Sequence, residues 1–128
     1  MKKLLLAFLA LSAWAIVTPE LHAKLIELKS VAEYDQHFNK GNVVVDFYAP
    51  WCGPCKNFAP TFESLAADLP NITFIKVNGD LFGAILARYG IKSYPTIIFF
   101  QNGAQKEKMT GGRSKTEFRN ILTRIFGN

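Results

Sequence analysis

Residues 43 to 56 read VVVDFYAPWCGPCK, and they are the most informative part of the chain about its fold. Its first six residues form an almost unbroken apolar and β-branched run, which is typical of a strand buried on both faces in a parallel sheet. One acid, Asp46, interrupts the run and must be paired, hydrated or protonated there. The following residues, from Cys55 to Leu69, show helical spacing of apolar side chains. The two cysteines therefore lie at a strand-to-helix turn.

The segments on either side of this stretch predict the other elements. Ser30 opens a capping box, Gly90 ends a helix, Asn102-Gly103 favours a hairpin, and Ser114 opens a second capping box. In chain order we expect a strand over 25–28, a helix over 30–39, a strand over 72–77, a helix over 81–89, strands over 96–100 and 106–110, and a helix over 114–125. This order predicts an α/β fold with a central mixed five-stranded sheet flanked by four helices.

Residues 1–23 differ from everything after them. Lys2 and Lys3 precede Leu4 to Val17, which are 14 residues without a charge. This length suits the apolar part of a secretory signal peptide and is short of the roughly 20 residues that cross a bilayer. We therefore expect a signal peptide over 1–23, cut after Ala23, and one domain over 24–128. An earlier cut near Ala15 and an uncleaved membrane anchor are the alternatives.

The amino-acid composition favours a single globular domain and argues against several other classes of protein. The chain has 128 residues, 49% hydrophobic and 20% charged, which suits one globular domain. The net charge is +5, but the basic residues form no run of five or six, which argues against a nucleic-acid surface. Two cysteines are too few for a disulfide framework or a four-ligand zinc site. They therefore act as a pair, and export would place them where disulfides persist.

The chemistry of Cys52 and Cys55 follows from their place at the start of a helix. The unpaired N–H groups and positive end of the helix favour a thiolate at Cys52, which we expect to be the exposed, attacking nucleophile. Pro54 suits the first helical turn, and Cys55, one turn further in, is placed to resolve a mixed disulfide. As a stabilising crosslink a four-residue loop is worth only about 2 kcal/mol. A structural disulfide and an intermolecular metal site are the alternatives.

At these residues the chain resembles the thioredoxin family. The resemblance covers nearly all of residues 25–126, through VVVDFYAPWCGPCK, through YGIKSYPT at 89–96, and through the closing glycine, capping box and helix. It implies the thioredoxin fold and a protein-disulfide oxidoreductase that needs no metal and no cofactor beyond its own dithiol. Tyr48-Ala49-Pro50 and Tyr94-Pro95 are also similar to protein disulfide isomerase domains.

The resemblance implies roles for two charged residues. The family has an aspartate at the place of Asp46, beneath the second cysteine, where it moves a proton through water as Cys55 becomes a nucleophile. Lys76, at the matching position of the third strand, resembles the charge partner of that aspartate. A structural buried pair is the alternative, and for Lys76 taken alone we favour it.

The resemblance also implies a substrate groove around Cys52. A cis Tyr94-Pro95 bond is expected to face the disulfide, with the backbone of Tyr94 pairing with an extended substrate. Trp51 and Tyr94 are expected to line the groove. Gly111 would let the backbone of a partner approach closely.

These inferences predict an exported protein, periplasmic or secreted, which acts as a monomer on protein disulfides. The Gly-Pro between the cysteines resembles that of reducing thioredoxins, whose potential is about −270 mV, so we expect a reductant. Its electrons would come from a membrane thiol carrier. A disulfide oxidase or isomerase, or a non-catalytic binding module of the same fold, are the alternatives. Neither nucleic acid nor metal is an expected partner.

Overall fold

A computed structural model of the chain describes residues 24–127, so the signal peptide expected over 1–23 lies outside the described residues. The element order matches the sequence prediction, and the bounds differ by one or two residues. The elements are β1 (Lys24–Glu27), α1 (Val31–His37), β2 (Asn42–Tyr48), α2 (Gly53–Asp68), β3 (Thr73–Asn78), α3 (Gly83–Tyr89), β4 (Thr96–Gln101), β5 (Ala104–Thr110) and α4 (Lys115–Phe126).

The five strands form one mixed sheet in the order β1-β3-β2-β4-β5. β3 runs parallel to both β1 and β2, whereas β4 is antiparallel to β2 and to β5. The predicted mixed five-stranded sheet with four helices is therefore confirmed. Because β2 and β3 are parallel, their carboxyl ends meet at the same edge of the sheet. The turn with the cysteines and the turn after β3 consequently lie side by side.

Two apolar cores lie on opposite faces of the sheet. One contains Tyr34 of α1 and Ile85 of α3, and the other contains Phe62 of α2 and Phe118 of α4. Alternate residues of β2 belong to different cores, as expected of a strand buried on both faces. Val44 belongs to the α2 core, so Asp46, two residues further on, lies on the same face as α2.

Turn and cap residues behave as their chemistry predicts. The side chain of Ser30 accepts a hydrogen bond from the backbone N–H of Glu33 at 3.0 Å and so caps α1. Gly90 ends α3 in the left-handed conformation, with φ of 63°.

The pairing of β4 with β5 shifts by one residue after Phe99, where Lys106 has no partner on β4. This is a β-bulge on an edge strand.

The helices described between residues 24 and 127 include none that is long and apolar enough to span a bilayer.

Candidate active site

The two cysteines lie at the amino-terminal end of α2. Cys52 is the N-cap residue, and its Sγ accepts a hydrogen bond from the backbone N–H of Cys55 at 3.1 Å. The two residues form a disulfide bond, with their Cα atoms 5.2 Å apart. Pro54 lies in the first helical turn, as predicted, where no N–H is needed. The sulfur of Cys52 therefore sits where the positive end of the helix stabilises a thiolate.

Both cysteines are largely covered by the protein. Cys52 is 6% exposed and Cys55 is 4% exposed, so the expectation of an exposed Cys52 was wrong for the oxidised chain. Ala49 belongs to the same buried cluster as the two cysteines, and its carbonyl oxygen accepts the N–H of Cys52 at 3.1 Å. The two residues therefore differ less in exposure than in position, since Cys52 caps the helix and Cys55 lies within it.

Tyr94, which precedes Pro95, lies directly against the disulfide. The carbonyl oxygen of Tyr94 is 3.7 Å from Sγ of Cys52. This is a contact in the disulfide form, because the sulfur then carries no hydrogen. The peptide bond between Tyr94 and Pro95 is cis, as the family resemblance implied. The carbonyl oxygen of Pro95 accepts the backbone N–H of Gly111 at 2.8 Å, which ties the glycine loop to the same place.

Trp51 forms an aromatic surface beside the cysteines. Its side chain is 67% exposed, and its ring meets the ring of Tyr94 edge-on, with centroids 5.8 Å apart. The indole Nε1–H points at the carboxylate of Asp80, at 3.2 and 3.3 Å from the two oxygens. Asp80 therefore orients the indole. No sequence motif singled out Asp80. It nevertheless follows β3 where Trp51 follows β2, at the edge where parallel strands end together.

Gly79 is a second site residue that no sequence motif singled out. A Cβ atom built at this position would overlap the hydroxyl group and the outer ring carbons of Tyr94. The ring of Tyr94 therefore occupies the space that a larger residue 79 would fill. No local pattern signals this contact, because 15 residues separate Gly79 and Tyr94 in the chain. The ring of Tyr94 therefore packs between Gly79 and Trp51, and the backbone carbonyl oxygen of the same residue contacts the disulfide.

The glycine loop after β5 contains two glycines with different environments. Gly111 has φ of 80°, a left-handed conformation that favours glycine, and a Cβ there would meet only the side chain of Arg113, at 3.8 Å. At Gly112 a Cβ would lie 2.9 to 3.0 Å from the side chain of Phe58. Close packing on α2 therefore requires Gly112. The guanidinium of Arg113 donates to the carbonyl oxygens of Thr110, Gly111 and Gly112.

Asp46 lies buried in the middle of the sheet. It is 1% exposed, and its Oδ1 has no hydrogen-bond partner. Burial raises the pKa of its carboxyl to about 7, against the positive charge of Lys76, while the negative charges of Glu27 and Glu63 add to the rise. A carboxyl with this pKa can both accept and release a proton near neutral pH.

A small cavity connects Asp46 with the second cysteine. Its volume is about 120 Å³, and its lining residues are Asp46, Tyr48, Ala49, Pro50, Cys55, Lys56, Ala59 and Lys76. A site of this size with several polar groups has room for water. Asp46 and Cys55 therefore share a compartment in which water could carry a proton between them.

Lys76 makes its ion pair with Glu63 of α2. Its Nζ lies 3.0 Å from Oε2 of Glu63 and 5.0 Å from the centre of the Tyr48 ring. Lys76 is nevertheless the neighbour of Asp46 across the parallel strands. The expected charge partner of Asp46 is thus bonded to another carboxylate and influences Asp46 through its nearby charge.

The structure places the residues singled out from the sequence in two groups. Around Cys52 lie Trp51, Tyr94 and Pro95, and Gly111 joins them through the carbonyl oxygen of Pro95. Behind Cys55 lie Asp46 and Lys76, which line the cavity. A cysteine pair at a helix end, with an exposed aromatic surface on one side and a buried acid on the other, is typical of a thiol–disulfide oxidoreductase. Nowhere in residues 24–127 do three or more His, Cys, Asp or Glu cluster to hold a metal ion.

Comparison with known proteins agrees with this class. The sequence model of the Thioredoxin family matches residues 25–124. Thioredoxin of Mycoplasmoides gallisepticum is 47% identical over 71% of this chain and 92% of the relative, and thioredoxin of Chlamydia trachomatis is 33% identical over 78% and 98%. The X-ray structure of Fasciola hepatica thioredoxin superposes with a TM-score of 0.71 at 36% identity, covering 77% of this chain and 97% of that one.

The chain belongs to the thioredoxin family. It is a protein-disulfide oxidoreductase of the thioredoxin type, and Cys52 and Cys55 are its redox-type cysteine pair.

Proposed function

We propose that the protein is an exported reductant of protein disulfides, with Cys52 as the attacking sulfur and Cys55 as the resolving sulfur. The observation that carries this proposal is the shared cavity of Asp46 and Cys55. Reduction of a substrate requires Cys55 to lose its proton in the second step. A base placed for that sulfur supports Cys55 as the resolving sulfur. The direction is supported by the Gly-Pro between the cysteines, which resembles that of reducing thioredoxins.

In the first step the thiolate of Cys52 attacks one sulfur of a substrate disulfide. The substrate S–S bond breaks, a bond forms between Cys52 and that sulfur, and the other substrate sulfur leaves as a thiolate that takes up a proton. The N–H of Cys55, 3.1 Å from Sγ of Cys52 in the oxidised chain, and the helix end stabilise the negative charge on the attacking sulfur.

In the second step Cys55 releases the substrate. The thiol of Cys55 gives its proton through cavity water to the carboxylate of Asp46, and the resulting thiolate attacks Sγ of Cys52. The mixed disulfide breaks, and the second substrate sulfur leaves as a thiol after protonation. Two electrons have then passed from the protein dithiol to the substrate disulfide, and the protein holds the Cys52–Cys55 disulfide.

The surface around Cys52 suits an extended polypeptide. The backbone of Tyr94 lies beside the reacting sulfur, and Gly111 has open space where a side chain would otherwise stand. Main-chain pairing at this place would hold a substrate strand with little dependence on its sequence. The exposed ring of Trp51 adds apolar contact area.

Export is supported by the amino-terminal segment, in which Lys2 and Lys3 precede 14 uncharged residues. An exported reductant must receive electrons from outside an oxidising compartment, and a membrane thiol carrier is the class of donor that fits. Fusion of residues 1–23 and, separately, of a Lys2→Glu, Lys3→Glu variant to a reporter protein tests export. Loss of export in the charge variant supports a signal peptide, and retention of both fusions inside the cell opposes it.

The direction of transfer can be measured by equilibrating the chain with glutathione buffers and trapping the thiols with acid. A potential near about −270 mV supports the reductant, whereas one between about −120 and −180 mV supports an oxidase or isomerase. A Cys52→Ser, Cys55→Ser double variant separates catalysis from binding. If this variant retains a function of the chain in the cell, that function depends on binding and not on the cysteines.

The role of Asp46 can be measured with an aromatic disulfide such as 5,5′-dithiobis(2-nitrobenzoate). Attack by Cys52 releases one coloured thiolate at a rate proportional to reagent concentration, and resolution by Cys55 releases a second at a rate independent of it. Asp46→Asn should slow the second phase by about 10²-fold or more and leave the first nearly unchanged. Equal second phases in the two chains between pH 6 and 8 would make Asp46 structural only.

A further inference from the structure

We infer that Glu63 is a positioning residue for the resolving step: it holds the ammonium group of Lys76 away from Asp46 and thereby governs when Asp46 takes up and releases its proton. The inference rests on the proposed role of Asp46 as the base for Cys55. It concerns a residue of α2 that lies outside the cysteine motif.

The path of the Lys76 side chain is the first observation. Lys76 and Asp46 are neighbours across β3 and β2, so the lysine side chain starts beside the carboxyl group. Its Nζ ends 3.0 Å from Oε2 of Glu63 on α2 and 5.0 Å from the centre of the Tyr48 ring. The lysine side chain is only 14% exposed, whereas that of Glu63 is 48% exposed. The carboxylate of Glu63 thus draws the ammonium towards solvent.

The unsatisfied oxygen of Asp46 is the second observation. Oδ1 is buried and has no hydrogen-bond partner, although a lysine side chain lies on the adjacent strand. A buried carboxylate with an ammonium in contact would stay ionised well below neutral pH, and would be a poor acceptor for the proton of a thiol. Keeping the ammonium of Lys76 on Glu63 avoids that outcome.

Charged groups of both signs and one neutral tyrosine surround the cavity. Tyr48 is held in place by donating its hydroxyl to Oε2 of Glu27 at 2.7 Å, and burial raises the pKa of Tyr48, so its ring stays neutral beneath the ammonium. On the β4 side the neighbour of Asp46 is the apolar Ile97. The titratable and charged groups that line the cavity or act on Asp46 are Glu27, Tyr48, Cys55, Lys56, Glu63 and Lys76.

These groups oppose one another in their effect on the buried acid. After burial itself, the positive charge of Lys76 lowers the pKa of Asp46, while the negative charges of Glu27 and Glu63 raise it. Removing Glu63 would lower the pKa of Asp46 in two ways. The direct repulsion disappears, and the freed ammonium can approach Oδ1. Loss of Glu63 must therefore make Asp46 more acidic.

The test is a direct titration of Asp46 in the full-length oxidised chain, followed by the ¹³C signal of its side-chain carboxyl. In Glu63→Gln the midpoint should fall by about 0.5 to 1 pH unit, since an ion-pair-sized interaction on a buried carboxyl is being changed. Glu107→Gln is the matched control, because it removes the same charge from an ion pair with Arg124 on β5 and α4, away from the cavity. Its midpoint should equal that of the parent chain.

A second pair of variants tests whether Glu63 acts through Lys76. Lys76→Met should raise the Asp46 midpoint. Adding Glu63→Gln to the Lys76→Met chain should then lower the Asp46 midpoint by less than half of the fall that Glu63→Gln causes in the parent chain. Without Lys76, Glu63 acts on Asp46 only through the repulsion between the two carboxylates. An unchanged or raised midpoint in Glu63→Gln overturns the inference, and so does a full-sized fall in the absence of Lys76.

The resolving phase of the aromatic disulfide reaction distinguishes this inference from the proposed function. If Asp46 serves Cys55, the pH midpoint of that phase in Glu63→Gln should move down together with the carboxyl midpoint. If the titration midpoint of Asp46 falls but the pH midpoint of the resolving phase does not change, Glu63 positions Lys76 as inferred. The role proposed for Asp46 as the base for Cys55 would then be overturned.

Discussion

Replacing Asp46 by asparagine should change the pH dependence of folding stability. In the folded chain burial raises the pKa of this carboxyl to about 7, whereas an aspartate in an unfolded chain titrates near about 3.9. The folded chain therefore binds this proton more tightly than the unfolded chain does. The resulting contribution to stability is fully present below about pH 4 and is lost as the pH rises through about 7.

The size of the loss follows from the two pKa values. Their difference, about 3, corresponds to about 4 kcal/mol at about 1.4 kcal/mol per unit. Asp46 is 1% exposed, so solvent screening does little to reduce this figure. Asparagine carries no charge at any pH and avoids the loss. Relative to the parent chain, Asp46→Asn should thus gain about 4 kcal/mol of unfolding free energy between pH 4 and 8.5.

Urea unfolding of the two oxidised chains at intervals from pH 4 to 9 measures this gain. All other titrating groups are common to both chains and cancel in the difference, and any fixed effect of the amide appears equally at every pH. The slopes against urea should agree, so that only stability is being compared. A difference between the two chains that stays constant within about 0.5 kcal/mol across the range would refute the reasoning.

Three further predictions follow from the site. In the reduced chain, alkylation of Cys52 should have a pH midpoint near about 7, because the helix end lowers the free-thiol pKa of about 8.5; a midpoint above about 8 for the first cysteine to react would remove its assignment. Gly79→Ala should lower the unfolding free energy by about 1 to 3 kcal/mol through overlap with Tyr94, and equal losses in the parent and Tyr94→Val backgrounds would contradict that cause. Asp80→Ala should raise KM for a protein disulfide more than it lowers kcat, because Trp51 loses its acceptor; steady-state kinetics with equal KM values would show that the indole needs no anchor.

Local patterns in the sequence were enough to predict the fold and the centre of the site. Residues 43–48 of β2 are apolar on both faces of the strand except for one acid, so the strand was expected to be buried on both faces, and that acid marked Asp46 as unusual. The cysteines stand at the junction of that strand and a helix, which fixed their place at a helix end. Each of these inferences uses residues that are neighbours in the chain.

Contacts between distant residues were beyond those patterns. The ion pair between Lys76 and Glu63 depends on where α2 crosses β3. The contact between Gly79 and the ring of Tyr94 depends on the paths of two separate loops. The anchor of Trp51 is an intermediate case. Asp80 follows a strand parallel to the one that precedes Trp51, so topology alone would have placed the two residues at one edge.

The bulge at Lys106 bears on how this protein behaves at high concentration. β5 is an edge strand, and its free backbone groups could pair with the same strand of a second molecule. The bulge breaks the regular spacing of those groups, and the exposed side chains of Lys106 and Lys108 would bring like charges together in such a pairing. The β5 edge of the sheet therefore disfavours edge-to-edge pairing between molecules at high concentration. This protection leaves the end of the sheet that carries the cysteines uncovered.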